Sequence, residues 1–268
     1  MVANVLNSAV SGLSLNAQRI GAAADNIANV STNGYKDTQI AARTVSVAQT
    51  STAYAPGGVQ AIPRQLADVQ GLLAPSASNT DLALSGSGFF AVSNTSDASG
   101  GVLFTRNGSF APDSEGNLVN SSGFYLLGQK DGSDELSSVN VSRVGGGDGY
   151  GEVQAINVAQ DGEVTALFES GDRVSIATIP VAVFTNPAGL SGQTGGAYQE
   201  TDFSGAPTYF TAGSNGAGAI QSGALELSTT DIGTEFSNML MAEGAYKASL
   251  SVIKVADEMT QELLDETA

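Results

Sequence analysis

Apolar residues recur at alternating steps of four and three near both ends of this chain, and that spacing leaves few folds open. Leu6, Val10, Leu13, Ala17, Ile20, Ala24 and Ile27 fall on one line of a helix, the seam of a heptad repeat. The run stops at Val30-Ser31-Thr32-Asn33-Gly34, where Asn and Gly tolerate the positive φ that ends helices. A helix of this length is a rod about 39 Å long. The other end repeats the design with Phe236, Met239, Ala242, Tyr246, Ser249, Ile253, Ala256, Thr260 and Leu263, and Leu240, Leu250 and Leu264 widen the stripe. Its start carries Ser228-Thr229-Thr230-Asp231, residue types that cap helix N-termini, with Glu235 following near the positive end of the helix dipole. Gly12, Gly21, Gly233 and Gly244 each cost a helix interior about 1 kcal/mol relative to Ala, so these helices need partners. Two coverings are open: the chain's own β-rich middle, or each other together with neighbouring subunits. A heptad seam is narrower than the stripe a helix usually turns to a globular core, which is the argument for the second.

Between the helices the pattern changes to short alternating or apolar runs punctuated by Gly, Asn, Asp and Ser. Strands are predicted over 89–93, 102–105, 117–120, 124–127, 152–158, 163–168 and 173–184. Turn signals at Asn107-Gly108, Glu115-Gly116, Asp161-Gly162 and Ser170-Gly171 separate several of them, and Asp131-Gly132 reads the same way. The spacing predicts an antiparallel sandwich or barrel. The expected fold class is α+β, mainly β: N- and C-terminal helices forming a coiled-coil pair, with a middle antiparallel β domain. The expected divisions are an N-terminal helix over 1–36, an extended linker with some strand over 37–75, a β-rich domain over 76–228 and a C-terminal helix over 229–268. A Gly-rich stretch, Val144-Gly145-Gly146-Gly147-Asp148-Gly149, reads as a flexible loop.

Composition matters mostly for what it removes. The 268 residues include no Cys, no His and no Trp, so disulfides, thiolate nucleophiles, imidazole bases and His or Cys metal sites are absent together. A Ser-His-Asp triad cannot be built, and the Gly-rich run lacks the Lys-Ser/Thr of a phosphate-binding loop. Paired acids such as Asp134-Glu135 and Asp257-Glu258 read as solvated surface, no calcium-loop pattern occurs, and neither a metal nor a cofactor is expected. With 27 acids against 10 bases the formal charge is −17, which argues against a nucleic-acid partner and for solubility through self-repulsion. The first positive charge is Arg19, inside the heptad pattern, so no cleaved secretory signal is expected. No apolar run approaches the roughly 18 residues of a spanning helix, so no membrane insertion is expected either.

The stretch Asn26-Ile27-Ala28-Asn29-Val30-Ser31-Thr32-Asn33-Gly34-Tyr35-Lys36, preceded by Ala9-Val10-Ser11-Gly12-Leu13, closely resembles the N-terminal signature of flagellar rod and hook proteins, with Asn26, Asn29, Gly34 and Tyr35 as its marks. Further blocks follow in the order of that family. Thr80-Asp81-Leu82-Ala83-Leu84-Ser85-Gly86-Ser87-Gly88-Phe89-Phe90 and Phe104-Thr105-Arg106-Asn107-Gly108-Ser109-Phe110 look like its β domain. So do Gly116-Asn117-Leu118-Val119 and Leu126-Leu127-Gly128. Phe184-Thr185-Asn186-Pro187-Ala188-Gly189-Leu190, Ser222-Gly223-Ala224-Leu225-Glu226 and the helix through Ala256-Asp257-Glu258-Met259 resemble its C-terminal region.

The resemblance implies a non-enzymatic subunit that polymerises into a helical tube, transmits torque and conducts exported subunits. The paired terminal helices would line the inside of that tube, with the β domain outside. It implies as partners further copies of the chain, adjacent rod or hook proteins and the flagellar type III export apparatus, and a place in the basal body or hook, periplasmic to extracellular. Leu6, Val10, Leu13, Ile20, Ile27, Phe236, Met239, Tyr246, Leu250, Ile253 and Leu263 are then the expected assembly interface, and both helical ends are expected to be unordered before assembly. The loops over 37–75 and 129–151 are candidates for further contact between subunits. The short connection after Leu126-Leu127-Gly128 fits a rod-sized subunit, while the short interval from Lys36 to Asp81 leaves a compact hook protein as the rival. Outside this family, a secreted β-rich binding module needs exposed aromatics, and 6% aromatic residues without Trp supply few. An enzyme needs a pocket of convergent acids with shifted pKa values.

Overall fold

Both heptad segments are helical in the computed structural model, which describes residues 2–45, 57–130, 135–141 and 153–267, with the side chains of all but 2–4, 263, 264, 266 and 267. Helix α1 spans Val2–Ala28 and α2 spans Ile232–Thr267. Asp231 caps α2, its carboxylate accepting the backbone N–H of Thr234 at 2.7 Å. The hydrogen bonds from Thr234 hold the Asp231 carboxyl below the usual carboxylate range. The Gly-rich loop over 144–149, the Asp131-Gly132 turn, Asp134 and the side chain of Leu263 lie outside the described residues.

The chain divides into two units. The first comprises Met1–Val30, Asp37–Leu66 and Thr230–Ala268. Here α1 and α2 pack side by side and antiparallel. A Cβ added to Gly12 would lie 3.3 Å from the Ser249 hydroxyl, while Asn16 and Ala23 share a cleft with Glu235 and Ala242. The stretch expected as a linker contributes an antiparallel hairpin, Thr38–Thr44 against Val59–Gln65, in register from Thr38 with Gln65 to Thr44 with Val59. Both of its strands pack against α1.

The second unit, Ser31–Lys36 with Ala67–Thr229, is the β domain, and every strand pairing in it among the described residues is antiparallel. Its central strand, Phe89–Ser93, is buried along its whole length and pairs with Leu103–Thr105, Tyr125–Gln129 and Pro180–Val183. Side chains alternate across a strand, so Phe90 and Val92 enter one apolar cluster with Leu82, Leu84, Phe110, Leu126 and Val181. Phe89 and Ala91 enter a second with Phe104, Phe184 and Tyr198. The rings of this second cluster meet edge to face, with Phe104 and Phe184 centroids 4.8 Å apart. A meander of Val153–Val158, Glu163–Phe168 and Arg173–Thr178 extends the sheet.

The strand predicted over 173–184 is two strands, Arg173–Thr178 and Pro180–Val183. Pro180 has no N–H to donate to a ladder, and the chain changes partners there, from Glu163–Phe168 to Phe89–Ser93. Short strands without a legible alternation complete the domain. Leu82–Ser85 pairs with Ala219–Ser222, and Leu73–Pro75 pairs with Ala224–Glu226.

Candidate assembly surface

Four positions of the N-terminal signature act as joints. Asn26, almost wholly buried, donates its amide to the Thr38 carbonyl at 3.0 Å and accepts the Thr38 N–H at 2.9 Å, tying the end of α1 to the first strand of the hairpin. A side-chain amide donates from its NH2 and accepts on its oxygen at once, so one residue serves both groups. Ser11 adds a second tie, its hydroxyl accepting the Val59 N–H at 3.1 Å. Asn29 folds back on the helix end and donates to the Asp25 carbonyl at 2.9 Å.

Gly34 and Tyr35 act within the β domain. Gly34 has φ +68°, and a Cβ there would come within 2.6 Å of the backbone of Arg106 and Asn107. That approach lets the Gly34 N–H reach the Glu226 carbonyl at 2.7 Å, and the Tyr35 carbonyl accepts the Thr229 N–H at 3.1 Å. The next residue, Lys36, is fully buried and paired with the Glu226 carboxylate. The same carboxylate accepts the Gly71 N–H at 2.7 Å and takes an ion pair from Arg106 at 3.2 Å. Arg106 donates a further hydrogen bond to the Gly86 carbonyl at 2.9 Å and lies over the Phe89 ring. Burial pulls the Arg106 guanidinium below its ordinary pKa, and the Glu226 charge pulls it back. Two cations on one carboxylate, all out of water, make a structural lock rather than a reactive centre, because every carboxylate oxygen is already engaged. Sequence reasoning missed this cluster. Its only trace is one isolated charge inside each of three otherwise uncharged motif blocks.

The outer faces of the helix pair are built differently from an ordinary globular surface. On α1 the covered line is Ala9, Gly12, Asn16, Ala23 and Asn26, with Leu15 beside it. On α2 it is Glu235, Met239, Ala242, Tyr246, Ser249, Ile253, Ala256 and Thr260. The most buried members of the joint are therefore small or polar. Of the expected interface residues, Leu6, Leu13, Ile20, Ile27, Met239, Tyr246 and Ile253 are half-buried. Val10, Phe236 and Leu250 are exposed, Val10 and Phe236 by 54% and 52%. Large apolar side chains that the expected interface did not include also face outward on α2: Leu240, Met241, Val252, Val255 and Met259. Alongside runs a cleft of about 670 Å³, lined by Asn16, Arg19 and Ala23 of α1, Thr38 and Ile40 of the hairpin, and Met241 and Ala245 of α2.

Among the described residues no group of three or more Asp, Glu, His or Cys is gathered to hold a metal ion, and no helix is long and apolar enough to cross a membrane.

Three family models match stretches of the chain: flagella basal body rod protein over residues 6–36, flagellar hook protein FlgE/F/G D1 domain over 83–166, and flagellar basal body rod FlgEFG protein C-terminal over 221–266. Lys36, Arg106 and Glu226 come one from each. The chain is 30% identical over 271 residues to the flagellar basal-body rod protein FlgG of Buchnera aphidicola subsp. Acyrthosiphon pisum, spanning 95% of this chain and 96% of that one. It is 28% identical to the FlgG of Bacillus subtilis, with 97% of each chain covered. To the flagellar hook protein FlgE of Rhizobium meliloti it is 37% identical over 163 residues, which span 60% of this chain and 37% of that one.

Proposed function

The chain belongs to the family of flagellar basal-body rod and hook proteins, and from that premise we propose that it is a rod-type subunit polymerising into a helical tube. The tube carries torque along its wall and exported subunits through its bore. The observation that carries self-assembly is the inversion of the helix pair: alanines, Gly12 and Asn16 lie in the joint, while Phe236, Leu240, Met241, Val252, Val255 and Met259 face outward. Each buried methylene stabilises by about 0.8 kcal/mol, so covering these outward-facing side chains with a neighbour adds stabilisation that the joint within the subunit does not use. Matches that run end to end along the rod proteins, against about a third of the hook protein, favour the rod role.

In this reading the terminal helices form coiled-coil seams in the tube, with Leu6, Val10, Leu13, Ile20 and Ile27 of α1 and Phe236, Met239, Tyr246, Leu250, Ile253 and Leu263 of α2 at the interface. Adjacent rod or hook proteins continue the tube at its ends. The subunit leaves the cell through the flagellar export apparatus and works between periplasm and exterior. What supports a non-enzymatic role is the likeness to flagellar rod and hook proteins.

Electron microscopy of the purified chain at high concentration, with and without residues 1–34, tests this. Straight tubes that vanish on truncation are expected. A full-length chain that stays monomeric overturns the homopolymer reading, and curved tubes favour a hook role over a rod.

A further inference from the structure

Asparagine followed by glycine occurs three times in the chain, at Asn33-Gly34, Asn107-Gly108 and Asn215-Gly216. Glycine has no side chain to shield its nitrogen, so such a pair is prone to attack by that nitrogen on the preceding carboxamide carbon. The fold blocks this at two of the pairs. The Gly34 N–H is committed to the Glu226 carbonyl at 2.7 Å, and the packing of Gly34 on the backbone of Arg106 leaves it no room to turn. Asn107 is 6% exposed, its side-chain oxygen accepts the Ser109 N–H at 3.1 Å, and a Cβ on Gly108 would lie 1.6 Å from the Leu82 carbonyl oxygen. Turning either pair requires the β domain to open.

Asn215 and Gly216 are exposed in the connection between the strands Thr208–Thr211 and Ala219–Ser222. Their φ angles of +49° and +84°, with the Ala217 N–H donated to the Ser214 carbonyl at 2.8 Å, make a type I′ turn. Among the described residues neither the Asn215 carboxamide nor the Gly216 N–H has a hydrogen-bond partner, and nothing lies within 4 Å of where a Gly216 Cβ would stand. We propose that Asn215 is a site of spontaneous deamidation in the folded chain and that Asn33 and Asn107 are protected from it. The Gly216 nitrogen gives up its proton and bonds to the Asn215 side-chain carbon, whose bond to the amide nitrogen breaks and releases ammonia. Water then opens the cyclic imide at either carbonyl, leaving aspartate or, with one more carbon in the main chain, isoaspartate. Both products add a carboxylate to a chain already at −17. The extra carbon of isoaspartate also strains the turn hydrogen bond to Ala217, a residue buried in the core around Phe90 and Val92.

Full-length protein held in mildly alkaline, ammonium-free buffer is sampled over time. Peptides covering the three pairs are followed by mass spectrometry, and released ammonia is measured independently. Asn215 is expected to convert at least about tenfold faster than Asn33 or Asn107, because a turn tip opens at little cost while the buried pairs need sub-global opening. In urea that unfolds the chain the three should convert at similar rates, which separates the effect of the fold from that of the local sequence. Asn215→Gly keeps the positive φ that the turn needs, and it should remove most of the ammonia released by the folded protein without changing its circular dichroism. Asn33 or Asn107 converting as fast as Asn215 in the folded chain overturns the proposal. So does an Asn215 that stays intact when folded over a period that converts it in urea, and so does undiminished ammonia release from Asn215→Gly.

Discussion

Replacing Glu226 with Gln tests whether the β domain is held by its buried charges. The substitution keeps the side-chain volume and an oxygen for the Gly71 N–H, but removes the negative charge that pairs with both Lys36 and Arg106, which are essentially without solvent. Taking one partner out of a buried ionic group costs about 3–5 kcal/mol, because the remaining charges stay desolvated and unopposed. At about 2–4 °C per kcal/mol for a chain of this size, the midpoint of the β-domain transition is expected to fall by about 6–20 °C. Differential scanning calorimetry reads this directly. The loss should persist in high salt, since buried pairs are screened far less than exposed ones. The triple replacement Lys36→Met, Arg106→Leu, Glu226→Leu should be less damaging than Glu226→Gln alone, because it leaves no orphaned charge. A loss below about 1 kcal/mol, the range of an exposed pair, would refute the reasoning. So would a triple variant weaker than the single.

Gly34→Ala puts a Cβ 2.6 Å from the backbone of Arg106 at φ +68°, and a strained position of this kind costs about 1–3 kcal/mol, read as a fall in urea midpoint without a change in slope. Asn26→Ala leaves the Thr38 N–H and carbonyl without their side-chain partner, costing about 1–3 kcal/mol, and hydrogen exchange at Thr38 should accelerate. The Asp231 carboxyl is depressed in the folded chain by its bonds from Thr234, so its contribution is complete above the unfolded pKa and is lost as pH falls through the folded one. Circular dichroism at 222 nm should therefore show α2 loosening at acid pH, and Asp231→Asn, which caps without titrating, should remove that component.

The elements that read most clearly from sequence are those specified by local chemistry. Phe89–Ser93 is where an apolar run places it and Glu163–Phe168 where alternation and turn residues place it, because a short apolar run, a side-chain period of two and a Gly at positive φ need no distant partner to be legible. Leu73–Pro75, Leu82–Ser85 and Ala224–Glu226 escaped notice because such short runs offer too few residues for a period, and their pairing joins segments far apart in the chain. The Lys36, Arg106 and Glu226 cluster was invisible for the same reason: Lys36 and Glu226 stand 190 positions apart, and nothing in either block names the other.

What the sequence alone determined is that both ends are helices with apolar lines at heptad spacing, that antiparallel strands lie between them, and that no thiol or imidazole chemistry is available. Only the tertiary structure decided which line of each helix is used inside the subunit. A heptad pattern fixes where apolar residues fall around a helix, but α2 carries more than one such line, and α1 packs through alanines, Gly12 and Asn16 that carry little hydropathy signal. The choice depends on how closely two backbones approach, as at Gly12 and Ser249, and on where Asn26 and Ser11 pin the hairpin. Those are distances between remote parts of the chain, which periodicity does not encode.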